Sequence, residues 1–275
     1  MVLVSIGLIV LGTAVCVAAS VLTRRARRQR RIRYDKSPMA GDVFGVIGTG
    51  FTVILAFVIF TAFESYQRAR DAAGVESVAT RQMEYLTEFF PQQSRVQLQG
   101  DLVCYARAVV HDEWPLMASG RSSPVVDHWV TEIDTSMVDV PIASTKEVEV
   151  FNMWFQRSDE RQEGRRGRLA EAVPLIPFFV WAVLVLLLAV VLAYQIVFVR
   201  ASRPLLPQAF GVAATAGTLL AGMVLIYVLD MPFADRGAEI APTRMQATSV
   251  VLETQYEGTP ASIPCDADGI PRPPS

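Results

Sequence analysis

His111 and His128, with Asp112, Glu113 and Asp127 beside them, are the side chains of this sequence best equipped for acid–base or metal chemistry. Their spacing argues against both. The histidines do not stand at i, i+4 to each other or to those carboxylates, so a shared site would need two separate segments to converge. Solvated or capping roles are expected instead. Three cysteines (Cys16, Cys104 and Cys265) are too few and too scattered for a zinc site or a disulfide scaffold. The glycines of GVIGTG, Gly45 to Gly50, lie inside an apolar run and follow no strand, which excludes a nucleotide loop. No G-x-S-x-G, P-loop or H-E-x-x-H pattern is present. The expectation is a protein that is not an enzyme and carries no cofactor and no metal.

A different chemistry, the passage of ions, is suggested by Gly41 to Phe63. Gly41, Gly45, Thr49, Val53, Phe57 and Thr61 recur every four residues, so one helix face is small at one end and carries a phenylalanine further along. Such a face either brings helices together or lines a narrow passage. Thr49, Val53, Phe57 and Thr61 are the candidate lining, and Gly41 and Gly45 the packing end. Glu64 and Asp230 end two apolar runs and are candidates for a pore mouth, against simple placement at the membrane edge.

The elements that must hold this face are membrane spans. The chain is 52% hydrophobic and only 19% charged, with a mean hydropathy of +0.34, more apolar than a soluble domain. Four runs are long enough for a bilayer core of about 30 Å: 1–22, 41–63, 173–199 and 205–229. The first is followed by the densest charge run, RRARRQRRIR, and is read as a retained span rather than a cleaved leader. A short arginine-rich loop between two spans stays cytoplasmic, and it also favours anionic lipid headgroups. No aromatic or folded element accompanies it, so nucleic acid is not an expected partner. With loop 23–40 and the short basic loop 200–204 inside, both termini and residues 64–172 fall on the outer side of the plasma membrane.

Residues 64–172 read as a helical extramembrane domain. Glu64 to Phe90 continues the second span, with Gly74 the only breaker before Pro91. Ser94 with Gln97 and Ser144 with Glu147 predict capping boxes, and Ser123 before Pro124 a capped start. Leu98, Leu102, Tyr105 and Val109 share one face, with Val103, Ala106, Val110 and Trp114 alongside; Val125, Trp129 and Ile133 follow at helical spacing. In the fourth span Ala213, Gly217 and Ala221 form a small-residue packing face. Residues 230–275 are Pro-rich and read as an irregular tail. Cys104 and Cys265 both fall on the outer side, where a disulfide and two free thiols are the alternatives. Cys16 is a small apolar filler of the first span. The fold class is therefore an all-α membrane protein, with four transmembrane helices and a helical domain between the second and third.

GFTVILAFVIFTAFESYQRARDAAGVESVA, YARAVVHDEWP, RRGRLAEAVPLIPFFVW and LDMPF, in this order, resemble the bestrophin-like domain family of uncharacterised bacterial multi-pass membrane proteins. The resemblance leaves out the extreme termini, and the usual glycine after the last motif is Ala234 here. Bestrophins proper are pentameric anion channels with an apolar neck on their second helix. The resemblance implies a homo-oligomeric anion channel, a pentamer, with the neck at Thr49, Val53 and Phe57. Threonine and valine stand here where the channels carry larger apolar residues, and the acidic calcium clasp has no counterpart. Bestrophins also keep their bulk domain in the cytosol, whereas the basic loop of this chain puts it outside. The alternative function is a non-conducting, membrane-anchored interaction or sensor protein that binds an envelope partner.

Overall fold

The computed structural model of the chain describes residues 2–30, 38–197 and 204–273. Part of the basic loop (31–37) and the basic turn at Arg200 and Arg203 lie outside the described residues. The described residues form nine α-helices: α1 Val2–Arg30, α2 Pro38–Thr87, α3 Gln92–Ala108, α4 Trp114–Met117, α5 Pro124–Val138, α6 Thr145–Ala170, α7 Phe178–Val197, α8 Leu205–Leu229 and α9 Thr243–Gln255. A π-helical turn, Val109–Glu113, links α3 to α4. Among the described residues, four helices are long and apolar enough to cross a membrane: α1, α2, α7 and α8. The chain divides into two compact units, one of residues 1–64, 175–230 and 236–238, the other of the remainder.

In the first unit α8 is the central helix. Val212, Ala216, Leu219, Met223 and Ile226 are buried at alternating four- and three-residue steps, the period of a packed helix seam. Glycines let the backbones approach. A Cβ on Gly12 of α1 would lie 2.9 Å from Leu220 Cδ1, and one on Gly222 would lie 2.8 Å from Leu55 Cδ2. Hydroxyls in the apolar helices bond back to their own turn: Ser20 to the Val17 carbonyl and Thr23 to that of Ala19, both at 2.8 Å. Arg24 is buried and donates to Gln208 Oε1 at 3.3 Å, so one arginine of the basic run is part of the packing.

In the second unit α3 is the core element. Every residue from Leu98 to Ala106 is buried, so this helix is enclosed on all sides. Val126, Trp129 and Ile133 of α5, Val150 and Trp154 of α6, Met83 and Leu86 of α2, and Phe90 just after α2 share that core. Ser123 caps α5 by accepting from the N–H groups of Val125 and Val126, and Ser144 and Glu147 close a full capping box on α6. The box expected at Ser94 is absent. The helix starts two residues earlier, at Gln92, because Pro91 at φ −54°, ψ 145° already sets the turn and its carbonyl accepts from Arg95 N at 2.8 Å.

The tail also departs from expectation. Far from irregular, residues 243–255 form α9, with Met245, Thr248, Ser249 and Leu252 buried at helical spacing. Beyond it Cys265 is bonded to Cys104 of α3, with their Cα atoms 5.7 Å apart. Trp129 Nε1 donates to the Gly269 carbonyl at 2.6 Å. Gly269 has φ +83° and sits where a Cβ would overlap the Ala108 backbone, so only glycine suits both the turn and the contact. The segment's own apolar residues, Met245, Leu252 and Ile263, supply the burial that a disordered end lacks.

Candidate functional site

The candidate pore face lies on the first-unit part of α2. Phe51, Leu55 and Ala62 are 1%, 5% and 0% exposed and pack inward. Val53 and Phe57, at 63% and 70% exposure, point away from the rest of their unit, and Thr49 is exposed on the same side. Thr61 is half-buried, and its hydroxyl donates to the Phe57 carbonyl at 3.0 Å, which leaves its oxygen free to accept. A Cβ on Gly45 would meet nothing within 4 Å, so this glycine touches no neighbour inside its own unit. A Cβ on Gly217 of α8, by contrast, would lie 3.6 Å from Thr13 Oγ1, with Ala213 half-buried and Ala221 exposed beside it. Glu64 is exposed. Asp230 is buried, and its Oδ1 accepts the Ile176 N–H at 2.9 Å, fastening the chain before α7 to the end of α8.

The second unit holds a buried charge cluster that sequence reasoning missed. Arg168 of α6 is fully buried and donates to Glu76 Oε2 at 2.6 Å, Glu76 Oε1 at 2.9 Å and Glu113 Oε2 at 2.7 Å. Arg165, one turn earlier, grips Glu113 Oε1 at 2.5 Å and Asp127 Oδ1 at 2.7 Å. Tyr105 completes the Glu76 shell, its hydroxyl donating at 2.7 Å. Bidentate, charge-assisted bonds of this kind are the strong class of ion pair. Burial alone would raise the Glu113 carboxyl, but the Arg165 hydrogen bond and the charges of both arginines outweigh it and hold it below its ordinary value. Gly164 makes the arrangement possible: a Cβ there would lie 2.6 Å from the Glu76 backbone nitrogen, so α6 and α2 touch backbone to backbone. The available signal was an R-x-x-R beside a glycine, on a helix read only as amphipathic.

The two histidines are half exposed and remain apart from this cluster. His111 Nδ1 is 3.9 Å from Asp268 and His128 Nδ1 is 3.9 Å from Glu132.

Asp101 is a second buried acid, accepting from Ser136 Oγ at 2.7 Å. Burial pushes its carboxyl up to about 6, against the lowering effect of the Ser136 bond, with Glu132 adding to the rise. The raised value means that its stabilising contribution is full below the unfolded value near 3.8 and is lost as pH climbs through about 6. Asp101→Asn is therefore expected to flatten the stability profile between pH 4 and 6 and to add about 2–3 kcal/mol at pH 7. Thermal unfolding across that range, wild type beside variant, checks both the slope and the sign.

The bundle of apolar helices and the separate helical unit define an all-α, multi-pass membrane protein. The bestrophin-like domain matches residues 9–238, and the chain belongs to that family. Solved structures of similar fold include two variants of a bacterial bestrophin homologue from Klebsiella pneumoniae. One has a TM-score of 0.71 at 14% identity, covering 92% of this chain and 98% of the other. The second has a TM-score of 0.71 at 13% identity, covering 91% and 99%. A structure described as a membrane protein is similar to the same degree, with a TM-score of 0.71 and 14% identity over 92% of this chain and all of the other. No curated protein sequence matches the chain.

Proposed function

We propose that this bestrophin-like membrane protein is a homo-oligomeric anion channel, a pentamer by family likeness, with α2 around the axis. The observation that carries this reading is the face of Thr49, Val53 and Phe57, which finds no partner inside its own unit. A second copy and a water-filled axis would give it one. Phe57 is the constriction: a ring of exposed phenylalanines resists wetting, so ions pass only after partial dehydration. Thr49 and Thr61 add hydroxyl oxygens to the lining, and Glu64 stands at the mouth. Asp230 serves the span ends, its carboxylate being engaged by the Ile176 N–H.

The orientation follows from charge and redox chemistry. Arg24, Arg25, Arg27, Arg28 and Arg30 close α1 and favour the cytoplasmic face. The Cys104–Cys265 bond suits an oxidising compartment, which supports placing residues 64–172 and the tail outside the plasma membrane.

The test is chloride flux from liposomes containing the purified protein, beside empty vesicles and the Phe57→Ala variant. Flux above the empty control, raised several-fold by the substitution, is the expected result. No flux from correctly folded protein in either form would sink the channel reading and favour a non-conducting interaction protein.

A further inference from the structure

We infer that the second unit contains a binding site for a phosphate-class oxyanion. Its place is a cavity of about 190 Å³ lined by Tyr66 and Arg70 of α2, Trp114, Glu239, and Thr243 and Arg244 at the start of α9. Among the described residues neither guanidinium, Arg70 nor Arg244, has a hydrogen bond or ion pair, and the Tyr66 hydroxyl has none either. Both arginines are exposed, and two guanidinium forks lining one concavity are the side-chain type that pairs with a tetrahedral oxyanion. Glu239 offsets one of the two positive charges, leaving a net attraction for an anion.

Three further features build the site. First, α9 begins without a side-chain cap, and its first residues, Thr243, Arg244 and Met245, line the cavity. Second, this end is anchored: Ser77 Oγ donates to the Arg244 carbonyl at 3.1 Å and lies 2.9 Å from Thr248 Oγ1. Third, Gly74 is buried against Arg244. A Cβ there would overlap Arg244 Nη1 and lie 3.3 Å from its Cζ, so the guanidinium rests directly on the α2 backbone. A glycine inside a long helix costs about 1 kcal/mol relative to alanine. Here it gives the arginine its seat.

The shared chemistry admits two sources, free phosphate and a phospholipid headgroup.

The experiment is calorimetric titration of the delipidated full chain in neutral detergent, with inorganic phosphate in one arm and short-chain phosphatidylglycerol in the other. Binding in either arm is expected, weakened about tenfold by Arg244→Gln or Arg70→Gln, as loss of a charge-assisted hydrogen bond implies. Glu239→Gln is expected to tighten it. Gly74→Ala tests position without altering charge and is expected to weaken it by displacing Arg244. Phosphate binding alone assigns a free-anion site; lipid binding, with or without phosphate, assigns a headgroup site. Absence of binding in both arms, or binding indifferent to all four substitutions in proteins of unchanged melting temperature, overturns the inference.

Discussion

Arg168→Met is expected to lower the stability of the helical unit by about 3–5 kcal/mol, the cost of breaking a buried ion pair from one side. The substitution keeps most of the side-chain volume, so the loss is electrostatic rather than a cavity. Glu76 would keep only the Tyr105 hydroxyl, and Glu113 would keep Arg165. A carboxylate at 0% exposure with one neutral donor is a buried charge without compensation. The measurement is thermal unfolding in detergent, followed by helical circular dichroism. The double variant Arg168→Met, Glu76→Gln separates the causes. If the stranded charge is responsible, neutralising Glu76 recovers a large part of the loss. A double variant as unstable as the single one would mean that lost packing around Trp114, whose ring lies 4.9 Å from the Arg168 guanidinium, is the true cause.

The second large effect is expected from Cys265→Ser. The bond closes a loop across a sequence separation of 161 residues, and losing a native disulfide typically costs about 2–5 kcal/mol. Both sulfurs are buried at 0% exposure, so serine also places a hydroxyl in an apolar setting. Cys265→Ala removes that complication and is expected to be the milder variant. Reduced and oxidised wild type, compared in the same unfolding assay, should differ as wild type and alanine variant do. Equal melting temperatures in all three would show that the tail is held by α9 and Trp129 alone. Neither outcome touches the proposed pore face, which lies in the other unit.

These two sites mark where local sequence stops being informative. The membrane spans were legible because 20 or so apolar residues admit few other structures. The caps at Ser123 and Ser144 were legible because capping is decided within four residues. Ser94 has the same pattern and does not cap, since the adjacent Pro91 decides the start of α3 first. The Arg168–Glu76 and Arg168–Glu113 pairs join residues 92 and 55 positions apart, a distance at which charge pattern carries no address. Gly164 offered a hint, yet its meaning depends on which backbone lies opposite. The tail is a related case: it is Pro-rich, but Met245, Leu252 and Ile263 become core residues only when α3 is there to receive them. The face of Thr49, Val53, Phe57 and Thr61 is different. Its four-residue spacing is legible within one helix, and in the folded chain Thr49, Val53 and Phe57 are exposed while Thr61 is half-buried.

The position of the Cys104–Cys265 bond also sets a timetable for biogenesis. Residue 104 leaves the ribosome 161 residues before its partner, an interval of about 8–32 s at ordinary synthesis rates. Two further membrane segments, α7 and α8, must be inserted during that wait. Throughout it, the central helix of the domain lacks its last cover and Cys104 remains an available thiol. The domain is thus finished only after the final span is in place, so that chain synthesis itself acts as the clock for domain closure.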